Sequence, residues 1–255
     1  MRFKQYDKEA KFLQNLVKNA NNLIKKHQIL TKNKDNNGDL VTNLDLMIEE
    51  YFIKRIKKSY PNFNIVSEEY NPKEKPTENC FIIDPIDGTV NFANNLPCWG
   101  IQIAMRKDGK TIASVLSMPT INETYVAVLG QGAYLNGKRT YVISEVKGKP
   151  LYSFEVAYNN PEASSKIFKN LHTIAGSRKF GSTCSALCFV AKGALSGAIY
   201  FSNHIWDTEP GTFLITEAGG KVYSTKNYTL AANNDEFLEL LKECLKKNFN
   251  KNEKS

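Results

Sequence analysis

Phe81-Ile82-Ile83-Asp84-Pro85-Ile86-Asp87-Gly88-Thr89 is the stretch on which the reading of this chain turns. A short apolar run bounded by turn formers reads as a buried strand, and this one delivers two carboxylates to its tip. Asp84 and Asp87 stand three residues apart with the stiff Pro85 between them, so both can face one hard cation, while Gly88 permits a tight turn and close approach of the backbone to an anion. That combination suits magnesium and a phosphate. Asp, Pro and Gly are also ordinary turn residues, so a plain strand-terminating turn is the other reading of the hexapeptide alone.

The spacing rejects an aspartyl-phosphate mechanism of the haloacid-dehalogenase kind, whose nucleophile and acid are spaced Asp-x-Asp. Here Pro85 stands two before Asp87 and the preceding carboxylate lies three back, which leaves metal-activated water as the better nucleophile. Upstream, Ser67-Glu68-Glu69 follows a short apolar run and either adds carboxylates to the same place or forms an exposed turn. Downstream, Trp206-Asp207-Thr208 precedes a helix whose Pro210 suits a first turn, so Asp207 or Thr208 is either a site residue or an N-cap. Thr42 and Asp45 have the spacing of a capping box with Asp in place of Glu.

Further out, Leu13, Leu16, Val17, Ala20 and Ile24 recur at helical spacing, as do Leu44, Met47, Ile48, Tyr51, Phe52 and Ile56. The first third therefore reads as two amphipathic helices joined by a polar loop over 32–39, the second helix closed by Pro61. Strands are expected at 64–67 and 81–84, then a meander at 101–105, 111–118 and 123–129, with Asn136-Gly137 as a type I′ turn. From about residue 151 the pattern alternates: strands at 152–156, 198–201 and 222–223, and helices at 161–171, 182–192, 208–218 and 234–246. Antiparallel and alternating parts coexist, which predicts an α+β fold of sheets layered between helices, with residues 1–145 as one half and 146–255 as the other.

A chain of 255 residues that is 42% hydrophobic can bury a large core, and disorder is excluded as a reading. Its longest apolar stretch, over 186–191, is far too short to cross a bilayer, and the charged N-terminus is unlike a signal peptide, so no membrane partner is expected. Five cysteines without zinc spacing or disulfide density fit a reducing cytoplasm. The net charge of +8 is read as lysines scattered over helix faces and the C-terminal segment, and nucleic acid is not an expected partner.

The motifs together resemble the inositol monophosphatase family. Asp84 to Pro97 is similar to the family's signature, and Ile205-Trp206-Asp207 followed by Glu217-Ala218-Gly219-Gly220 resembles its second signature. Val41-Thr42-Asn43-Leu44-Asp45 and Ser67-Glu68-Glu69 match the earlier motifs in order and spacing. The resemblance implies a layered αβαβα sandwich of the sugar-phosphatase type, a homodimer, and lithium-sensitive hydrolysis of a small phosphorylated substrate with two or three Mg2+ per site. It implies that Glu68, Asp84 and the Ile86 carbonyl hold one metal and Asp84, Asp87 and Asp207 a second. Glu68, Thr89 and Asp45 form the implied catalytic set; Lys34 and Asp45 align with positions that support a third, weak metal, Lys34 from just outside the ligand set. Asp87, Gly88, Thr89, Gly181, Ser182, Thr183, Tyr200 and Asp207 are the implied substrate contacts, with the N–H groups of Gly88 and Thr89 receiving the phosphate.

The chain departs from the pattern on the leaving-group side. Tyr200 stands where animal relatives carry an acidic residue for the inositol ring, and Gly181-Ser182-Thr183-Cys184 is an altered form of the family's loop. Tyr200 is either a substrate contact or a core residue ending its strand. Val90 stands where nucleotide-specific relatives usually carry Lys. The expected substrate is an inositol monophosphate or related sugar phosphate. Fructose 1,6-bisphosphate, 3′-phosphoadenosine 5′-phosphate, and a regulatory role bound to the transcription machinery are the alternatives.

Overall fold

Apolar residues at helical spacing make α1 (Asp7–Ile24) bury Leu13, Leu16 and Val17 on one side. The computed structural model describes residues 3–34, 40–143, 145–154, 161–201 and 204–249. After α1, a small antiparallel hairpin of β1 (Thr31–Asn33) and β2 (Leu40–Thr42) leads into α2 (Asn43–Ser59), which packs on α1. Next come β3 (Asn64–Ser67), β4 (Cys80–Asp87), the single turn α3 (Thr89–Ala93), and the meander β5 (Gly100–Lys107), β6 (Lys110–Met118), β7 (Glu123–Val128), β8 (Gly132–Leu135) and β9 (Lys138–Thr140). These seven strands form one sheet in chain order, antiparallel except for the parallel pair β3 and β4. Asn136 and Gly137 close the last hairpin with φ of 48° and 82°, the two positive values a type I′ turn needs.

The second sheet contains β10 (Leu151–Phe154), β11 (Gly176–Arg178), β12 (Gly197–Tyr200), β13 (Lys221–Ser224) and β14 (Thr229–Ala232) in the order β11-β10-β12-β14-β13. Between these strands run α4 (Pro161–His172), α5 (Thr183–Ala191) and α6 (Ile205–Glu217), and α7 (Asp235–Phe249) follows them. Three apolar layers bind the sheets to the helices. Phe81, Ile83 and Ile103 pack under Leu13, Ile48 and Phe52 of α1 and α2. Leu116 and Tyr125 meet Leu187, Leu214 and Ala231 across α5 and α6, which lie between the sheets. Tyr152, Ile199 and Leu230 meet Ile167, Leu241 and Leu245 of α4 and α7. The result is an αβαβα sandwich, the architecture expected from sequence.

Several elements differ from expectation. β4 runs on through both aspartates, and short strands form at β1, β11 and β14 where none was expected: β1 pairs with β2 in a local hairpin, β11 with β10, and β14 with both its neighbour β13 and the more distant β12. Residues 155–156 of the expected strand and loop residues 35–39 lie outside the described residues. Helix α6 starts at Ile205, with His204 as its N-cap, so Pro210 sits inside the helix and neither Asp207 nor Thr208 caps it. Among the described residues no helix is long and apolar enough to cross a membrane.

Candidate active site

Side chains three residues apart in a regular strand point to opposite faces, so Asp84 and Asp87 can share a site only if β4 is irregular. It is. Asp84 pairs with Gln102 of β5 but Asp87 with Gly100, three steps along β4 against two along β5. The additional residue makes a β-bulge, and Pro85, which has no N–H to give to the ladder, is accommodated inside it. Both aspartates then meet Asp207 from the first turn of α6, and carboxylate oxygens of all three lie within 4.8 Å of one another.

Each β4 carboxylate is held from behind. Asp84 Oδ2 accepts from Gln102 Nε2 at 3.1 Å. Asp87 Oδ2 accepts from the Ser182 hydroxyl and from the Cys184 N–H at 2.9 Å, and its Oδ1 from the Thr183 N–H at 3.3 Å. Gly88 follows with φ of +84°, and a Cβ there would stand 3.0 Å from the Ser182 Cβ and 3.1 Å from the Cys98 carbonyl oxygen. Only glycine fits that corner. The Thr89 hydroxyl lies 2.9 Å from the Ile86 carbonyl oxygen and 3.3 Å from Asp45 Oδ1, either of which can accept its proton. Asp45 Oδ2 in turn accepts from the Thr42 N–H at 2.9 Å and from its hydroxyl, completing the capping box that the spacing predicts.

Glu68 enters from the end of β3. Lys34 Nζ lies 2.7 Å from Glu68 Oε1 and 2.5 Å from Glu69 Oε1. The turn carrying Glu68 is fixed by Glu49, a fully buried carboxylate of α2 that accepts from the Ser67 hydroxyl at 2.5 Å and from the N–H groups of Glu69 and Tyr70 at 2.9 and 2.8 Å. Glu49 was not singled out from sequence. The signal was present, since it stands one turn after Asp45 on the same buried face as Ile48, Phe52 and Ile56, and a charge on an apolar face needs a partner.

Crowding and burial raise the carboxyl groups. Burial lifts Asp84 well above the ordinary range, and the charges of Glu68, Asp87 and Asp207 push it further. Burial also carries Asp87 to about 6 against the hydrogen bonds from Ser182 and Cys184, Asp45 to about 6 and Glu69 to about 7. For Lys34, burial pulls downward, but the charge of Glu68 and hydrogen bonds to Glu68 and Glu69 outweigh it and hold the ammonium above its usual value. Carboxylates packed this closely repel one another unless protons or cations intervene. Asp84 Oδ1 is buried with no hydrogen-bond partner. A hard divalent cation with oxygen ligands fits that orphaned atom and its neighbours.

Glu68, Asp84, Ile86, Asp87, Gly88, Thr89, Gly181, Asp207 and Lys34 all line one cavity of about 600 Å³. Asp45 lies beneath it, reaching it through Thr89. Ser182, Thr183 and Tyr200, expected from sequence to touch the substrate, are not among the residues that line this cavity. Ser182 and Thr183 bind Asp87 instead, with Ser182 also capping α5. Tyr200 ends β12 at 2% exposure, its hydroxyl without a hydrogen-bond partner. Its phenol is raised by burial and then by the charge of Asp207. Two residues that sequence did not single out, Pro72 and His204, do line the cavity.

A model of the inositol monophosphatase family matches residues 4–253. Nus factor SuhB of Pasteurella multocida is 33% identical over 231 residues, covering 84% of this chain and 86% of that protein. An inositol monophosphatase of Dictyostelium discoideum is 32% identical over 197 residues, 72% of this chain and 71% of its own. Among solved structures, the Thermotoga maritima IMPase TM1415 superposes with a TM-score of 0.80 at 25% identity, covering 96% of this chain and 99% of that one. With its signature motifs gathered around one acidic cavity and the match running over nearly its whole length, the chain belongs to the inositol monophosphatase family.

Proposed function

We propose that this protein is a magnesium-dependent phosphomonoesterase whose substrate is an inositol monophosphate or a related sugar phosphate. The observation that carries the reading is the convergence of Asp84, Asp87 and Asp207 on a point where a buried oxygen of Asp84 lacks a partner, beside Glu68 and Thr89. Asp84, Asp87, Asp207, Glu68 and the Ile86 carbonyl would hold two Mg2+, with Asp45 and Lys34 beside a third, weaker position. Bound cations supply Lewis-acid stabilisation of the phosphoryl oxygens and lower the pKa of water.

The chain's own groups do the rest. Glu68 and Thr89 orient a water opposite the ester oxygen. The Thr89 hydroxyl takes the proton of that water while passing its own to Asp45 Oδ1, and burial keeps Asp45 receptive near neutrality. The water oxygen bonds to phosphorus as the ester P–O bond breaks; the departing alkoxide takes a proton from solvent water and Asp45 returns the proton it holds to solvent, so the products are the alcohol and inorganic phosphate. The N–H groups of Gly88 and Thr89 would receive a phosphate oxygen.

Phosphate release measured with magnesium, with EDTA and with millimolar lithium tests this reading. Full activity in EDTA overturns it. A panel of inositol 1-phosphate, fructose 1,6-bisphosphate and 3′-phosphoadenosine 5′-phosphate separates the substrates. The five free cysteines support a reducing cytoplasm, and we propose a homodimer there, open to sedimentation analysis. Similarity to a protein called Nus factor SuhB favours a second reading, a binding role in transcription. Co-elution of the chain with RNA polymerase would support that role, and its absence would count against it.

A further inference from the structure

We infer that Arg106 and Glu209 are a positioning pair for the candidate metal site: their ion pair fixes the first turns of α6 against β5 and so sets where Asp207 stands relative to Asp84. This rests on the phosphatase reading above, in which both aspartates hold a cation. The Arg106 guanidinium meets the Glu209 carboxylate as a fork, Nε to Oε1 at 2.5 Å and Nη2 to Oε2 at 2.6 Å. Glu209 Oε1 also accepts from the Thr111 hydroxyl at 2.5 Å. Two parallel charged bonds fix direction as well as distance, which a single contact does not.

The fork belongs to a wider arrangement on one face of β5. Gln102, Ala104 and Arg106 alternate along that face. Gln102 donates to Asp84 of β4, Ala104 packs with Trp206 of α6, and Arg106 binds Glu209 of the same helix. In the ladder, Cys80 of β4 stands beside Arg106 on one side and Thr111 of β6 on the other. A single strand face therefore grips Asp84 at one end and the helix that carries Asp207 at the other. Asp207 and Glu209 are two positions apart, roughly 200° around the helix axis, so Asp207 lines the cavity while Glu209 faces the sheet.

This turn needs an outside anchor. Pro210 sits inside α6 and has no N–H to return to the Trp206 carbonyl, so the turn carrying Asp207 is tied to the rest of the helix by one bond fewer. Ionised Asp84, Asp87 and Asp207 repel one another across less than 4.8 Å, which pushes the same turn away from β4. With side chains only 12% and 27% exposed, Glu209 and Arg106 oppose that push under little screening. Neither lines the cavity, so the pair acts through Asp207 and not on the substrate.

The test is Mn2+ binding followed by electron paramagnetic resonance, with turnover in magnesium and thermal melts in EDTA. The proteins are wild type, Glu209→Ala, Arg106→Lys, Asp207→Asn and the double variant Asp207→Asn with Glu209→Ala. Glu209→Ala is expected to weaken the Mn2+ site that Asp207 serves about tenfold or more, and to lower kcat with little change in KM. Arg106→Lys keeps the charge but loses the fork, and should shift both in the same direction by less. In the Asp207→Asn background the Glu209 substitution should leave the remaining Mn2+ affinity unchanged, because its effect passes through Asp207. Variants that melt lower in EDTA yet bind Mn2+ as tightly as wild type would reduce the pair to a structural contact and overturn the inference. An equal loss of Mn2+ affinity with and without Asp207 would overturn it too. If wild type binds Mn2+ but releases no phosphate from the substrate panel, the phosphatase reading falls alone, and Mn2+ binding still decides the positioning role. If wild type binds no Mn2+, both fall.

Discussion

Replacing Glu49 is the sharpest test of how the site is held. In Glu49→Ala the Ser67 hydroxyl and the N–H groups of Glu69 and Tyr70 lose their acceptor at once. A buried donor left unpaired costs about 1–3 kcal/mol. The two N–H donors belong to partly exposed residues, so the lower end applies to them, and relief of a costly buried carboxylate offsets part of the sum. The expected net loss is about 3 kcal/mol, a large share of the roughly 5–15 kcal/mol available to a folded domain. Glu49→Gln keeps one acceptor oxygen and should lose about half as much. Because Glu68 sits between the anchored residues, a shift of its carboxylate by about 1 Å should lower turnover about a hundredfold in either variant. Urea unfolding midpoints together with phosphate release at saturating magnesium measure both effects. The Gln variant also tests linkage: burial raises Glu49 above its ordinary value of 4.5, so the folded state keeps this proton longer than the unfolded chain, and wild-type stability declines as pH rises above that value. The Gln variant lacks that part of the slope. A wild-type midpoint and turnover in Glu49→Ala would refute the idea that this carboxylate holds the turn.

Other outcomes follow from the same geometry. Asp207→Asn, inside the first turn of α6 rather than at its N-cap, should fold normally and lose orders of magnitude in turnover, and near-wild-type rates would remove Asp207 from the site. Gly88→Ala forces a side chain into a left-handed corner against the Ser182 Cβ and two carbonyl oxygens; a melting temperature unchanged from wild type would contradict the crowding. In EDTA, stability should fall as pH rises from 3.8 to about 6, since Asp45 holds its proton longer when folded; a shift of that size is worth about 3 kcal/mol. Magnesium should raise the urea midpoint more at about pH 7.5 than at about pH 5, where protons already relieve the repulsion, and a metal effect independent of pH would argue against these carboxylates as ligands.

Local pattern was enough for what depends on neighbours in the chain. The helical spacing of Leu13 to Ile24 and Leu44 to Ile56, the capping box of Thr42 and Asp45, the Asn136-Gly137 turn and the layered architecture were all legible, because periodicity and turn chemistry act within a few residues. The identity of the carboxylates was legible too, through the order of four motifs. The short strand β11 was not, since its partner β10 lies across α4, and β14, though it forms a hairpin with β13, also takes β12 from across α6 as a partner.

At the site the division is the same. Sequence determined that Asp84 and Asp87 end a buried strand and that Gly88 must turn. Whether two carboxylates at an odd spacing share a face was decided by the bulge against Gln102 and Gly100 of β5. Sequence offered Ser182, Thr183 and Tyr200 to the substrate, yet α5 packs its N-terminus onto Asp87 and β12 buries Tyr200, while His204 comes to line the cavity. The physical reason is that a side chain's type and spacing are fixed by the chain, whereas its neighbours depend on how distant elements pack. The residues that anchor Asp87 lie about a hundred positions from it, and only the packed layers bring them together.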